Sequence, residues 1–273
     1  MSLVRVLTPA PSRRLCPVAT VRDYLGVGSG EDKAIGVKLD VVSQRIEALF
    51  ERQLARQGYE ERLAGRGGHF LALSRWPIES VSTLEHGISS PLEVDATTYS
   101  IAGDDRARLY RALGWCWSAD VGGQYPAGGQ TLSYRAEYVA GWLLPDQVST
   151  WSAAGEYSAG AFARPTTANV LRFEATTAGT TAGTEPTWPD AAGETVADGT
   201  VVWTAREATE LPEPIRHAAM LAAADLYRGG GDVPTGIKSE SSDGGRIEYF
   251  SPSEGGRPLA FSRTVMHLLE VYR

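Results

Sequence analysis

The sequence predicts an α+β fold: a helical bundle built on two main helices, with a small antiparallel β region between them and an inserted all-β domain. Three observations carry that expectation. Helical periodicity with legible ends occurs twice, from Ser29 towards Gly58 and from Leu211 to Gly231; the apolar period changes to alternation between them; and composition turns to Thr, Ala and Gly from about Asp146 to Thr209. The expected division is a discontinuous parent domain, 1–145 and 210–273, interrupted by an all-β module at 146–209, because insertions at loop tips are well tolerated.

The later helix is the more completely written. Pro212 and Pro214 suit a first turn, where a missing N–H is no loss. Ile215, Ala219, Ala222 and Leu226 recur on one face, and Ala218, Ala223 and Ala224 widen it with side chains small enough for close packing. Arg228 favours the C-terminal end, and Gly229 to Gly231 supply a left-handed stop. In the earlier helix Ser29 is the expected cap, with Asp32 three residues on, and Ile35, Leu39, Val42, Ile46 and Leu49 keep one apolar face. Continued to Gly58 it would span on the order of 36 Å. Neither stripe can be buried alone, so the two helices are expected to pack together. Thr20 and Asp23 predict a capping box for a brief preceding helix that Gly26 stops.

Leu3 to Leu7 alternates as a strand before Thr8-Pro9-Ala10-Pro11. Tyr59 to Leu63 and Phe70 to Leu73, around Gly65-Arg66-Gly67-Gly68, read as a hairpin. Trp76-Pro77-Ile78 opens a strand through Leu84, and Tyr99 to Ala102, Arg108 to Arg111 and Thr131 to Val139 read as further strands. Ile237 to Ser241 and Arg246 to Phe250 flank Asp243-Gly244-Gly245 as a second hairpin, after which Leu259 to Tyr272 returns to the helical period. Within 146–209, Trp151, Trp188 and Trp203 have two readings. A module this small needs large side chains for any core, whereas exposed indoles could stack on sugars.

Composition bounds the function. A chain of 273 residues with 42% hydrophobic content can bury one or two cores. Of the net charge of −7, residues 146 to 209 hold −5 (eight acids against three arginines), leaving −2 elsewhere, and no basic footprint for nucleic acid. Cys16 and Cys116 are the only cysteines and form no CxxC, which favours a reducing setting over a disulfide framework. No apolar run approaches the roughly 20 residues that span a bilayer, and Met1 to Arg14 lacks a signal-peptide core, so a soluble chain is expected.

Chemistry-bearing patterns are sparse. His69, His86, His217 and His267 stand in no ligand spacing, so no metal is expected. Gly26-Val27-Gly28-Ser29-Gly30 lacks the Lys-Ser/Thr of a phosphate loop and reads as a helix lead-in. Glu156 to Gly160 misses the first glycine of a nucleophile elbow. Glu60-Glu61 and Asp104-Asp105 are sequence neighbours, which point to opposite faces of a strand, and read as solvated edges rather than acid–base pairs. Neither a catalytic residue nor a cofactor is expected.

The succession RVLTPAP, VRDYLGV, a long helix ending near FERQL, a hairpin, RWPIESVSTL, RLYRALGW, YRAEYVAGW and LPEPIRHAAMLAAADLYR resembles the head-tail connector (adaptor) proteins of tailed bacteriophages. IKSESSDGGRIEYF with MHLLEVYR resembles the ending of the same family. The resemblance covers about residues 3–145 and 210–273; the insertion, which most connectors lack, separately resembles a Trp-rich β module of phage virion proteins through TTAGTTAGTEPTWP. The resemblance implies a structural virion protein, not an enzyme, placed in the neck of the virion and in host cytoplasm during assembly. Its implied partners are a twelve-fold homo-oligomeric ring, the portal protein above, a stopper or tail-completion protein below, and genomic DNA passing through the channel without sequence-specific binding, with no membrane. A cyclic ring needs two different faces per subunit, and a lumen without dense Lys and Arg would not grip phosphates. The alternative is a carbohydrate-binding or decoration protein acting through the module.

Leu259, Phe261, Val265, Leu268, Leu269 and Tyr272 form the candidate assembly interface. Their apolar face would be unfavourable in water at about 25 cal/mol per Å², so something must cover it. That cover is either a neighbouring subunit or the portal, or the Leu211 helix of the same chain.

Overall fold

The computed structural model describes residues 3–65, 67–87, 91–102, 107–115, 134–167, 169–228, 237–240, 247–249 and 261–272. The N-terminal half holds β1 (Leu3–Thr8), α1 (Val18–Leu25), α2 (Asp32–Leu49), β2 (Gln57–Leu63), β3 (Phe70–Ala72), β4 (Ile78–His86), β5 (Leu92–Glu93), β6 (Ser100–Ala102), β7 (Arg108–Tyr110) and β8 (Tyr134–Ala140). Then follow β9 (Val148–Thr150), β10 (Glu156–Tyr157), β11 (Phe162–Arg164), β12 (Arg172–Thr177), β13 (Gly179–Thr180), β14 (Thr195–Asp198), β15 (Val201–Arg206), α3 (Glu213–Arg228), β16 (Ile237–Glu240), β17 (Ile247–Tyr249) and α4 (Arg263–Glu270). By their contacts these elements fall into two units: Met1–Ser12, Leu54–Leu143 and Gln147–Glu210 form one, and Arg13–Gln53, Leu144–Asp146 and Leu211–Arg273 the other.

The architecture is mostly β. This overturns the expected bundle on two main helices: the described residues hold four α-helices but strands in five separate sheets. Capped helices advertise themselves through a long 3.6-residue period, whereas strands of two to nine residues pair with distant partners and leave only short local traces.

In the helical unit, α2 packs against α3 and α3 against α4. Ile35, Leu39, Val42 and Ile46 are buried on α2, and Ile215, Ala218, Ala219, Ala222 and Ala223 on α3, as the apolar stripes predict. Other details differ. The helix α2 ends at Leu49 after 18 residues, about 27 Å long, because Glu51 turns to φ 56; Gly58 lies within β2 rather than at the end of a helix. Neither capping box forms: α1 begins at Val18 behind Pro17, and Ser29 opens a short 3-10 turn, both without side-chain capping. Gly26 does stop α1, in the left-handed conformation at φ 69, with its N–H donating to the Asp23 carbonyl. The glycines 229–231 lie outside the described residues. Arg14 clamps α2 through a two-point ion pair to Asp40 at 2.6 and 2.9 Å.

In the β unit, β8 is the middle strand of an antiparallel sheet ordered β1-β2-β8-β4-β5. It pairs with β2 from Leu63↔Tyr134 to Gln57↔Ala140, and with β4 on its other side. Burial alternates along β2 and β8, so one face of the sheet is core. A second sheet, β3-β7-β6, shares that core through Leu71 and Leu109, and Trp115, beyond β7, packs there with Tyr59, Tyr134 and Tyr138. The expected hairpin between 59–63 and 70–73 is not made, since β2 pairs with β1 and β8 while β3 pairs with β7. Glycines at 65, 67 and 68 permit a turn but do not choose a partner. The strands from β9 onward form a third sheet, β14-β15-β12-β11-β9, beside a β10-β13 ribbon, and β16 pairs with β17 around residues 241–246, which are not described.

Immediately after β8 the chain makes a close crossing. Gly141, at φ 104, donates its N–H to Pro77 O at 2.9 Å; Trp142 N donates to Leu54 O and Arg56 N to Trp142 O, each at 2.8 Å. A Cβ on Gly141 would lie 2.5 Å from Ala55 O, whereas one on Gly160, also at positive φ, would meet nothing within 4 Å. Gly141→Ala is therefore expected to lower unfolding stability by about 2–4 kcal/mol and Gly160→Ala by only about 1 kcal/mol, measured by urea denaturation. Equal losses would show that the crossing is not tight.

Candidate assembly surfaces

The helix α4 starts where Ser262 Oγ accepts the Val265 N–H at 3.4 Å. Of the candidate interface residues, Val265 and Leu269 are buried in the helical unit, where α4 packs against α3. Phe261, Leu268 and Tyr272 are half-buried, and Leu259 lies outside the described residues. The apolar face is thus divided: one stripe has a partner in its own chain and the flanking side chains reach solvent. Phe261, Met266 and Leu269 join Leu49 in a groove of about 280 Å³, whose polar lining is Arg263, His267 and Glu270.

The third sheet holds a buried carboxylate that the sequence pattern did not single out. Asp198 is 2% exposed; its Oδ2 accepts the indole N–H of Trp151 at 2.8 Å and of Trp203 at 3.0 Å, and its Oδ1 accepts the Ala182 N–H at 2.8 Å. Asp198-Gly199 is the turn between β14 and β15, with Gly199 at φ 62, so the Asp-Gly pair was the available signal. Trp188 donates to Glu185 at 2.8 Å and packs on Phe173 and Trp203 at ring separations of 4.2 and 5.9 Å. Trp203 is fully buried, and Trp151 and Trp188 pack on the same core. Of the two readings of these tryptophans, the structure supports core.

A second buried carboxylate corrects the sequence reading. Glu61 is no solvated edge: it is 1% exposed and accepts from Tyr138 OH at 2.6 Å, Ser74 N at 2.9 Å and Ser74 Oγ at 2.5 Å. Burial, together with the Glu61 charge, pushes the Tyr138 phenol far above its ordinary range. Glu60 points the other way, towards Arg5 and Arg135, both at 3.4 Å. Adjacent carboxylates on opposite faces make no acid–base pair.

The remaining motifs resolve structurally. His86 is held below its ordinary range by burial and by Arg111, while His69 Nδ1 lies 3.2 Å from Arg111 O. His267 is 4.0 Å from Glu270 on α4, and His217 lies in α3. Among the described residues no group of three His, Cys, Asp or Glu could hold a metal ion. Cys16 is buried, its thiol pushed up to about 11 by desolvation; Cys116 and the Asp104-Asp105 pair lie outside the described residues. The glycines at 26–30 cap α1 and lead into α2, and Glu156–Tyr157 enters a turn at Gly160 with no helix behind it.

No protein-family model matches the chain, and no curated protein does. Solved structures do show likenesses. The neck of an empty GTA particle computed with C6 symmetry is 17% identical, covering 99% of this chain and 95% of that one at a TM-score of 0.42. The virion of a native gene transfer agent (GTA) particle is 17% identical with the same coverages and a TM-score of 0.46. The neck of a native GTA particle computed with C12 symmetry is 16% identical, covering 99% and 94%, at a TM-score of 0.43. Scores below 0.5 do not establish a shared fold.

Asp198→Ala would leave two indole N–H groups and one backbone N–H unpartnered beside the core of the third sheet. A loss of about 3 kcal/mol is expected, with loss of near-ultraviolet dichroism from Trp151 and Trp203. An unchanged melting curve would mean that the carboxylate does not organise this core.

Proposed function

We propose that this chain is a structural protein of the tailed-phage neck, a head–tail adaptor whose copies form a ring beneath the portal and line the DNA channel. The observation that carries this reading is the ordered succession of segments on both flanks, from RVLTPAP through YRAEYVAGW to LPEPIRHAAMLAAADLYR, which resembles the connector family. The twelve-fold symmetry, the portal above and the stopper below are implications of that resemblance. In this reading Val265 and Leu269 anchor α4, and its half-exposed side chains, with the Phe261–Met266 groove, meet the neighbouring subunit or the portal.

The segment 146–209 is read as an insertion into that parent. Its ends are held together by a parallel bridge between Leu143 and Glu210 and by the Leu143 N–H donating to Thr209 O at 2.8 Å, so a short linker can close the gap. The alternative role, sugar binding through the module, gains nothing from the tryptophans, whose rings pack into one core.

Negative-stain microscopy of the purified chain, alone and mixed with its portal, tests the reading. The intact chain and a variant with 146–209 replaced by a Gly-Ser bridge are both expected as rings or portal caps. Met266→Glu, in the groove, should abolish portal capping while leaving the far-ultraviolet dichroism intact. Intact chain that neither forms rings nor binds portal would contradict the assignment; a bridged variant that unfolds would contradict the insertion.

A further inference from the structure

Strand β1 is the edge of its sheet. It pairs with β2 on one side and with no described strand on the other, so alternate residues of Leu3–Thr8 turn their backbone N–H and C=O groups outward without a ladder partner among the described residues. At six residues it is the longest edge among the described sheets, where β3, β5, β6, β9 and β14 run two to four. Exposed edges are ordinarily blunted by Lys, Pro or shortness, and β1 has none of these. Leu3, Val6 and Leu7 are instead 60%, 38% and 41% exposed, and the one charge, Arg5, shares Glu60 with Arg135.

A second unsupported edge belongs to β16 and β17. They pair with each other, from Ile237↔Tyr249 to Glu240↔Ile247, and with no other described strand. Two strands alone are marginally stable in water; a third strand or a packed face is needed. In sequence the two strands hold Glu240 and Glu248 against Lys238, the sign that suits Arg5. Among the described residues of one copy, neither edge joins the other.

The partner that satisfies such an edge is fixed by its chemistry: an extended backbone that exchanges ladder hydrogen bonds and brings apolar side chains to the flanks. We propose that the β16–β17 hairpin of one copy adds to the edge of β1 in a second copy, extending the sheet β1-β2-β8-β4-β5 into its neighbour. Residues 229–236 between α3 and β16 give the hairpin a tether whose full extension is on the order of 28 Å. A hairpin on a strand joins two different parts of the chain, a heterologous contact of the kind that repeats around an axis. Pairing β1 with β1 of a second copy would instead close after two subunits and set Arg5 towards Arg5. The proposal rests on the ring reading and assigns it one subunit contact.

Sedimentation velocity of the full chain tests it by complementation. Arg5→Glu, which spoils the edge, and replacement of residues 237–249 by a Gly-Ser bridge, which removes the hairpin, should each weaken self-association by about tenfold or more. Mixed together, the bridged chain still offers β1 and the Arg5→Glu chain still offers its hairpin, so the mixture should recover pairs that neither variant forms alone. The bridged chain leaves β1 intact, so it tests the contact even where Arg5→Glu disturbs the sheet. Rings that persist undiminished in both variants, or a mixture that recovers no pairs, overturn this contact and leave the ring reading standing; the second result is also the one expected if the hairpin lies on β1 of its own copy. A wild-type chain that stays single, alone and on portal, overturns both.

Discussion

The β unit depends on one close approach: after β8 the backbone passes so near Ala55 that residue 141 can carry no side chain. Three backbone hydrogen bonds, from Gly141 to Pro77, Trp142 to Leu54 and Arg56 to Trp142, lock that passage to the segments entering β2 and β4. The two strands that flank β8 are therefore held by the same few residues that end it. Two residues on, Leu143 pairs with Thr209 and Glu210, so the crossing also ties the end of β8 to the segment that follows β15. Arg56 reinforces the place: it forms a two-point ion pair with Glu79 at 2.5 and 2.9 Å and lies 4.8 Å over the Phe162 ring.

Around that frame, two buried carboxylates specify the packing. Glu61 joins β2 to Tyr138 of β8 and to Ser74, and Asp198 gathers two indoles and a backbone N–H in the third sheet. A buried charge left unpaired would be strongly destabilising, so each of these groups admits essentially one arrangement of its partners.

What was legible in the sequence follows from which signals are local. The buried face of α3 was readable because Pro212 and Pro214 mark its start and small apolar residues keep its period; that of α2 was readable too, but its end was not, since Glu51 breaks the helix with a backbone turn that no Gly or Pro announces. Most strands of the middle region stood near their expected positions, yet the partner of β2 was wrong, because alternation reports a face and not a neighbour. The same shortfall hid Glu61: the period separated it correctly from Glu60 but could not say which face the second sheet would cover. It also produced the erroneous bundle, as many short strands together outweigh two conspicuous helices. In the candidate surface, the amphipathic character of α4 was plain, whereas the burial of Val265 and Leu269 against α3 is a tertiary fact.

The central claim, that this chain belongs to the neck of a tailed particle, is tested most directly by immunogold microscopy of intact particles with antibody raised against the chain. Gold confined to the junction of head and tail is the predicted result. Label spread over the capsid surface, as a decoration protein would give, or an absence of label from purified particles, would contradict it.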